Sequence, residues 1–166
     1  MGVGRLLITC HLFTFTESHA MSLAYTQLLT ELAQRIGLDA PSLLVQQEVC
    51  IDGLGIFIQQ SGEEDAPDVL LCSVLGRPSA QRFAEVLRTL MQANHLWVGT
   101  GGGTLGLSPA GGAITWCLRL PLRDLDGATL AALMAGFAEL GQAWAQYIGA
   151  DAGVSAGVAA ERARMT

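Results

Sequence analysis

The 166-residue chain contains no lysine: all nine basic residues are arginine, and fifteen acidic residues leave a formal charge of −6. A chain with so little positive charge has no basic stripe for a phosphate backbone and no polybasic segment for an anionic bilayer, which argues against nucleic-acid partners and membrane insertion. Charged residues of both signs are scarce, at 14% against roughly 25% in an average globular chain. With 51% apolar residues, intrinsic disorder is excluded, and a partner is expected to cover part of a surface that has few charges. No window approaches the roughly 18 uninterrupted apolar residues of a membrane span. The early run Leu6-Leu7-Ile8 is interrupted by His11, Glu17 and His19, a poor signal peptide, so a cytoplasmic location is expected.

Recognisable catalytic and metal-binding patterns are also missing. Cys10, Cys50, Cys72 and Cys117 lie far apart without a C-x-x-C spacing, and they read as reduced core thiols. Cys10-His11 has no further Cys/His cluster to complete the three or four ligands zinc requires, and His19 and His95 stand apart, so no metal site and no cofactor is expected. G-x-S-x-G is absent, and the acids at Glu63-Glu64-Asp65 and Asp124/Asp126 sit in hydrophilic turns, so no catalytic residue is assigned.

What is present is one domain's worth of periodic structure, since folding at this length buries roughly 70% of the surface the unfolded chain exposes. Tyr25, Leu28, Leu29, Leu32, Ala33 and Ile36 recur at the spacing of a helix with one buried face, which Gly37 ends. After a break at Asp39-Ala40-Pro41-Ser42, two short strands, Gln47 to Asp52 and Ile56 to Gln60, are joined by an Asp-Gly turn. Gly62 to Asp68 reads as an acidic loop. Val69 to Leu75 is a continuous apolar run, expected to be a central strand covered on both faces.

Ser79 then caps a second helix, Ala80 to Ala93, apolar on more than half its circumference through Phe83, Val86, Leu87, Leu90 and Met91. A short strand falls within Trp97 to Gly112, and Ala113 to Leu120 forms another, ended by Pro121. Asp126 caps a third helix whose face carries Leu130, Met134, Phe137, Trp144 and Ile148. Beyond Gly149 the chain is rich in Ala and Gly, and residues 149–166 are expected to form a flexible tail. The order α-β-β-β-α-β-β-α, with consecutive hairpins, predicts an α+β fold with an antiparallel sheet of about five strands and three helices.

The segment Gly99 to Gly106 contains G-x-G-x-x-G through Gly101, Gly103 and Gly106. A dinucleotide site needs those glycines to open a helix, but turn residues and a strand follow. A small nucleotide-binding protein or enzyme using this loop is the alternative reading; a loop between a helix and a hairpin is the plainer one.

In their order, these marks resemble the Tir-chaperone (CesT) family, the class I chaperones of bacterial type III secretion. The resemblance runs through Leu28-Leu29-Thr30-Glu31-Leu32-Ala33-Gln34-Arg35-Ile36-Gly37-Leu38, Val49-Cys50-Ile51-Asp52-Gly53, Gly76-Arg77-Pro78 and Leu90-Met91-Gln92-Ala93-Asn94. It continues through Gly103 to Ser108, Gly112 to Trp116, Leu120-Pro121-Leu122 and the Phe137/Trp144 helix. It spans a domain at residues 21–148. Residues 1–20 would then precede the natural start at Met21-Ser22, unless Leu6 to Phe15 adds a strand.

The resemblance implies a homodimer that holds the N-terminal part of a secreted effector soluble and export-competent in the bacterial cytoplasm without ATP. Contact with secretion-apparatus components is a further implied role. By position, Phe83, Val86, Leu87 and Leu90 become the dimer contact. Leu28, Leu32, Ile36, Val49, Ile51, Ile56 and Ile58 become the effector surface.

Overall fold

A computed structural model describes residues 21–63, 65–109 and 111–164. Helix α1, Leu23–Ile36, starts where the Ser22 side chain accepts the Tyr25 N–H and stops at Gly37, as its spacing predicts. Tyr25, Leu28, Leu29, Leu32 and Ala33 are buried along one face. Each of the three leucines contributes about 1.5–3 kcal/mol through burial.

The break expected after Gly37 holds a second helix instead, α2, Ala40–Gln46. Asp39 caps it by accepting the Ser42 N–H at 2.9 Å and the Ser42 hydroxyl at 2.6 Å, and Pro41 falls in the first turn, where a missing N–H costs nothing. Among the described residues there are therefore four α-helices rather than three.

Five antiparallel strands follow: β1, Glu48–Ile51; β2, Leu54–Glu63; β3, Ala66–Gly76; β4, Thr104–Leu107; and β5, Ile114–Pro121. They lie in the order β1-β2-β3-β5-β4. Asp52 and Gly53, at φ 48° and 85°, make the tight turn that sets Ile51 opposite Leu54. The expected loop from Gly62 to Asp68 is strand for most of its length: Ser61 pairs Asp68, Gly62 pairs Pro67 and Glu63 pairs Ala66. Pro67 is tolerated because β5 pairs with β3 only from Asp68 onward, so the strand is still an edge at that point.

Helix α3, Phe83–Asn94, begins later than Ser79 predicts, because residues 79–82 close a turn in which the Arg82 N–H reaches the Ser79 carbonyl at 3.1 Å. Helix α4, Gly127–Arg164, starts at the Asp126 cap, whose carboxylate accepts the Thr129 N–H at 2.7 Å. Its backbone runs past the Gly149 boundary read from the sequence; alanine favours helix strongly enough to carry it on. Residues 1–20, with Cys10, His11, His19 and the Leu6 to Phe15 segment, lie outside the described residues, as does Glu64.

One face of the sheet carries the core. Val49, Ile56, Ile58, Val69, Leu71 and Trp116 point to it and meet Leu29, Leu32, Leu130, Met134 and Phe137. The Trp116 and Phe137 rings stack with centroids 4.0 Å apart and 2° between planes. The Tyr25 hydroxyl ties α1 to the sheet at 2.9 Å from the Ile58 carbonyl, and burial raises its pKa above the ordinary phenol value.

The expectation that β3 is covered on both faces is corrected. Leu71, Ser73 and Leu75 are buried among core groups, but the alternate residues Leu70, Cys72 and Val74 lie outside the core cluster, on the opposite side of the sheet. The apolar run lacks alternation because that second face is also apolar. Cys50 departs from the reading of a buried thiol: it is exposed on β1.

Candidate functional site

The residues expected to form an effector surface divide into two groups. Leu28, Leu32, Ile56 and Ile58 are at most 2% exposed, and Val49 is 7% exposed. Their periodicity arises because α1 and β2 face α4 and each other, so they support a surface rather than form one. Ile36 is 38% exposed, and Ile51 is half-buried at the end of β1. Leu32, Ile36, Val49 and Ile51 nonetheless converge on one groove of about 610 Å³ between the end of α1, strand β1 and helix α4. Leu38, Ala131 and Met134, which the sequence reading did not assign to a contact, add to its apolar lining. Leu38 is visible in the sequence as an apolar residue just past a helix stop; Met134 needs the α1–α4 packing to be placed.

The groove runs alongside all of β1, a strand at one edge of the sheet. At the other edge the Asn94 side chain bonds both the Leu105 N–H and the Leu105 carbonyl at 2.9 Å, occupying main-chain groups of β4 that face away from β5. The two edges are therefore unequal, and β1 is the edge associated with an apolar groove.

The expected dimer residues divide in the same way. Val86 is fully buried and Leu90 is 4% exposed within the protomer, because that side of α3 packs inward. Phe83 is 36% exposed and Leu87 half-buried. The outward apolar groups that sequence reasoning missed are Met91, Leu96, Trp97 and Val98, exposed by 72%, 73%, 57% and 82%. Leu96 and Trp97 both hold left-handed backbone, at φ 52° and 55°, a conformation that costs a non-glycine residue about 1–3 kcal/mol. The turn is braced from beneath by the Gly99 N–H on the Ala93 carbonyl at 3.0 Å and by the Trp144 indole N–H on the Gly99 carbonyl at 3.1 Å.

The glycine segment has a packing role. A Cβ at Gly103 would meet the Trp116 indole nitrogen and lie 2.8 Å from the Cys117 carbonyl. Gly103 lets the loop lie against this indole, and no helix N-terminus opens behind the glycines, since β4 follows. Among the described residues no group of three His, Cys, Asp or Glu is placed to hold a metal, and no helix is long and apolar enough to cross a membrane.

No curated protein matches the chain. Among solved structures, the HopA1-SchA chaperone-effector complex aligns at 20% identity over 75% of this chain and 94% of the other, with a TM-score of 0.56. The ExsC-ExsE complex aligns at 20% identity over 77% and 97%, with a TM-score of 0.62. The Yersinia pestis type III secretion chaperone SycH, in complex with a stable fragment of YscM2, aligns at 16% identity over 70% and 96%, with a TM-score of 0.46. The first two show that the fold is shared. The model of the Tir chaperone protein (CesT) family matches residues 27–145, which spans both the groove beside β1 and the ridge on α3, and the chain belongs to that family.

Proposed function

We propose that this protein is a cytoplasmic, ATP-independent chaperone of bacterial type III secretion, a homodimer that binds the N-terminal region of an effector and keeps it soluble for export. The observation that carries this reading is the groove of about 610 Å³ beside β1: it offers apolar side-chain sites next to a sheet edge, the combination that captures an extended or partly helical segment. The HopA1-SchA chaperone-effector complex, on the same fold, supports it. Ile36, Ile51 and Leu38 are the effector contacts, with Leu28, Leu32, Val49, Ile56 and Ile58 holding them in place. The function is binding rather than chemistry, so no catalytic residue takes part.

The dimer contact is the outward side of α3, through Phe83, Leu87 and Met91, continued by the Leu96-Trp97-Val98 turn. Val86 and Leu90 fix the helix from below. An exposed apolar ridge that ends in two residues of strained backbone, Leu96 and Trp97, is costly unless a surface covers it, and a second copy does so in this reading.

The test is co-purification with an effector encoded beside this gene. Ile36→Asp with Ile51→Asp is expected to lower effector affinity by about tenfold or more, as loss of apolar anchors does, while circular dichroism stays unchanged. Retention of the effector by that folded variant would remove the groove from the mechanism.

A further inference from the structure

Cys72 and Cys117 are directly opposite each other in the register of β3 and β5, and their sulfurs lie 2.7 Å apart. They lie on the side of the sheet away from the core, in a row that runs from Phe57 through Cys72 and Cys117 to Thr104. Directly opposed residues of an antiparallel pair have Cα atoms about 4.5 or 5.5 Å apart, and both values fall inside the range of about 4.4–6.8 Å that a disulfide spans. The backbone is thus already where an S–S bond needs it. Neither the groove nor the α3 ridge uses this pair.

We propose that Cys72 and Cys117 form a redox modification site: a hydroperoxide converts the two thiols into a reversible cross-strand disulfide. The two sulfurs have separate roles. Cys117 is partly exposed and Cys72 nearly buried, so the oxidant meets Cys117 first. Either sulfur can donate in the contact between them; with Cys72 as the donor the bond lowers the Cys117 pKa, while the same bond, with burial, raises that of Cys72. A partly exposed thiol biased toward its thiolate and set beside a resolving thiol is the arrangement in which peroxide-sensitive cysteines are often found.

In the first step the Cys117 thiolate attacks one peroxide oxygen; the O–O bond breaks and the other oxygen leaves as hydroxide, which takes a proton to become water. In the second, the Cys72 sulfur attacks the Cys117 sulfenic sulfur, the S–S bond forms, and the remaining oxygen leaves as a second water. Two thiols are oxidised by two electrons and one hydrogen peroxide is reduced to two waters. A low-molecular-weight thiol reverses the change by exchange. The bond would close a loop that contains α3, the Leu96-Trp97-Val98 turn and β4, binding that whole segment to the central strands.

The test is titration of the full-length folded protein with hydrogen peroxide, followed by alkylation of remaining thiols and peptide mass spectrometry. The expected result is a monomer-sized chain on a non-reducing gel, loss of two of its four reactive thiols, a linked peptide pair containing Cys72 and Cys117, and full recovery with dithiothreitol. In Cys72→Ser, Cys117 is expected to persist as sulfenic acid that dimedone traps; in Cys117→Ser, Cys72 is expected to react more slowly than in the parent. Four thiols that alkylate equally before and after peroxide would overturn the proposal. So would a disulfide formed chiefly between chains through exposed Cys50, or equal dimedone labelling of Cys117 with and without Cys72.

Discussion

Leu90 and Met91 are neighbours on α3 with opposite environments, and replacing each by aspartate separates folding from assembly. Leu90 is 4% exposed in the protomer core. Truncating such a leucine to alanine costs about 2–5 kcal/mol, and an unpaired carboxylate in its place adds several more. The sum is comparable to the whole stability of a domain, about 5–15 kcal/mol, so Leu90→Asp is expected to leave no cooperative folded state. Met91 is 72% exposed. Met91→Asp should change protomer stability by no more than about 0.5 kcal/mol, yet place a charge in the proposed dimer contact. Light scattering coupled to size exclusion reads mass, and far-UV circular dichroism with a urea titration reads folding. The expected pair is an unfolded Leu90→Asp and a folded, monomeric Met91→Asp. A folded, monomeric Leu90→Asp would refute the reasoning and put Leu90 between subunits; a folded dimer of Met91→Asp would remove the outward ridge from the contact.

Gly103→Ala should cost about 1–3 kcal/mol, the usual range for overpacking, because the added methyl meets the Trp116 ring and the Cys117 carbonyl; a urea midpoint equal to the parent's would show that the loop yields freely. The carboxyls of Asp39 and Asp126 are held below the usual carboxylate range, Asp39 by hydrogen bonds from Ser42 and Asp126 by hydrogen bonds from Thr129. Since their folded values are depressed, their contribution is complete above the unfolded value of about 3.9 and is lost as pH falls through the folded values. Thermal melts from pH 7 to pH 2 should therefore show less acid destabilisation in the Asp39→Ala/Asp126→Ala double variant than in the parent, from a lower starting point; identical acid slopes would refute that cause.

Local signals carried most of the architecture. The apolar face of α1, its Gly37 stop, the Asp52-Gly53 turn and the Asp126 cap are each contained within a few residues, and each falls where expected. The five strands and their antiparallel class follow from the hairpin signals. Helix α2 was obscured because Pro41 and Ser42 read as a break, although Asp39 before a proline is also a helix start. The hairpin through Gly62–Asp68 was hidden by its acids and proline, since only the register with β5 shows that Pro67 lies at an edge. The site was half legible: periodicity located Leu28, Leu32, Val86 and Leu90 as buried positions but carries no statement of what buries them, and each packs within the protomer. Met91 was visible in the apolar period of α3 but not as an outward group, and Leu96 to Val98 were missed because a strained turn, not a helical period, presents them beside α3.

Trp116 joins segments that are distant in the chain. Its ring stacks on Phe137 of α4, leaves no room for a side chain on Gly103, and lies 3.1 Å from where a Cβ on Gly141 would sit. Met134, one turn before Phe137, lines the groove, while the loop that includes Gly103 continues from the Leu96–Val98 turn. Damage at any of these positions is therefore shared. Substitutions at 103, 137 and 141 belong to one thermodynamic unit, and a double-mutant cycle between any two should return a coupling of about 0.5–3 kcal/mol rather than a sum of independent losses.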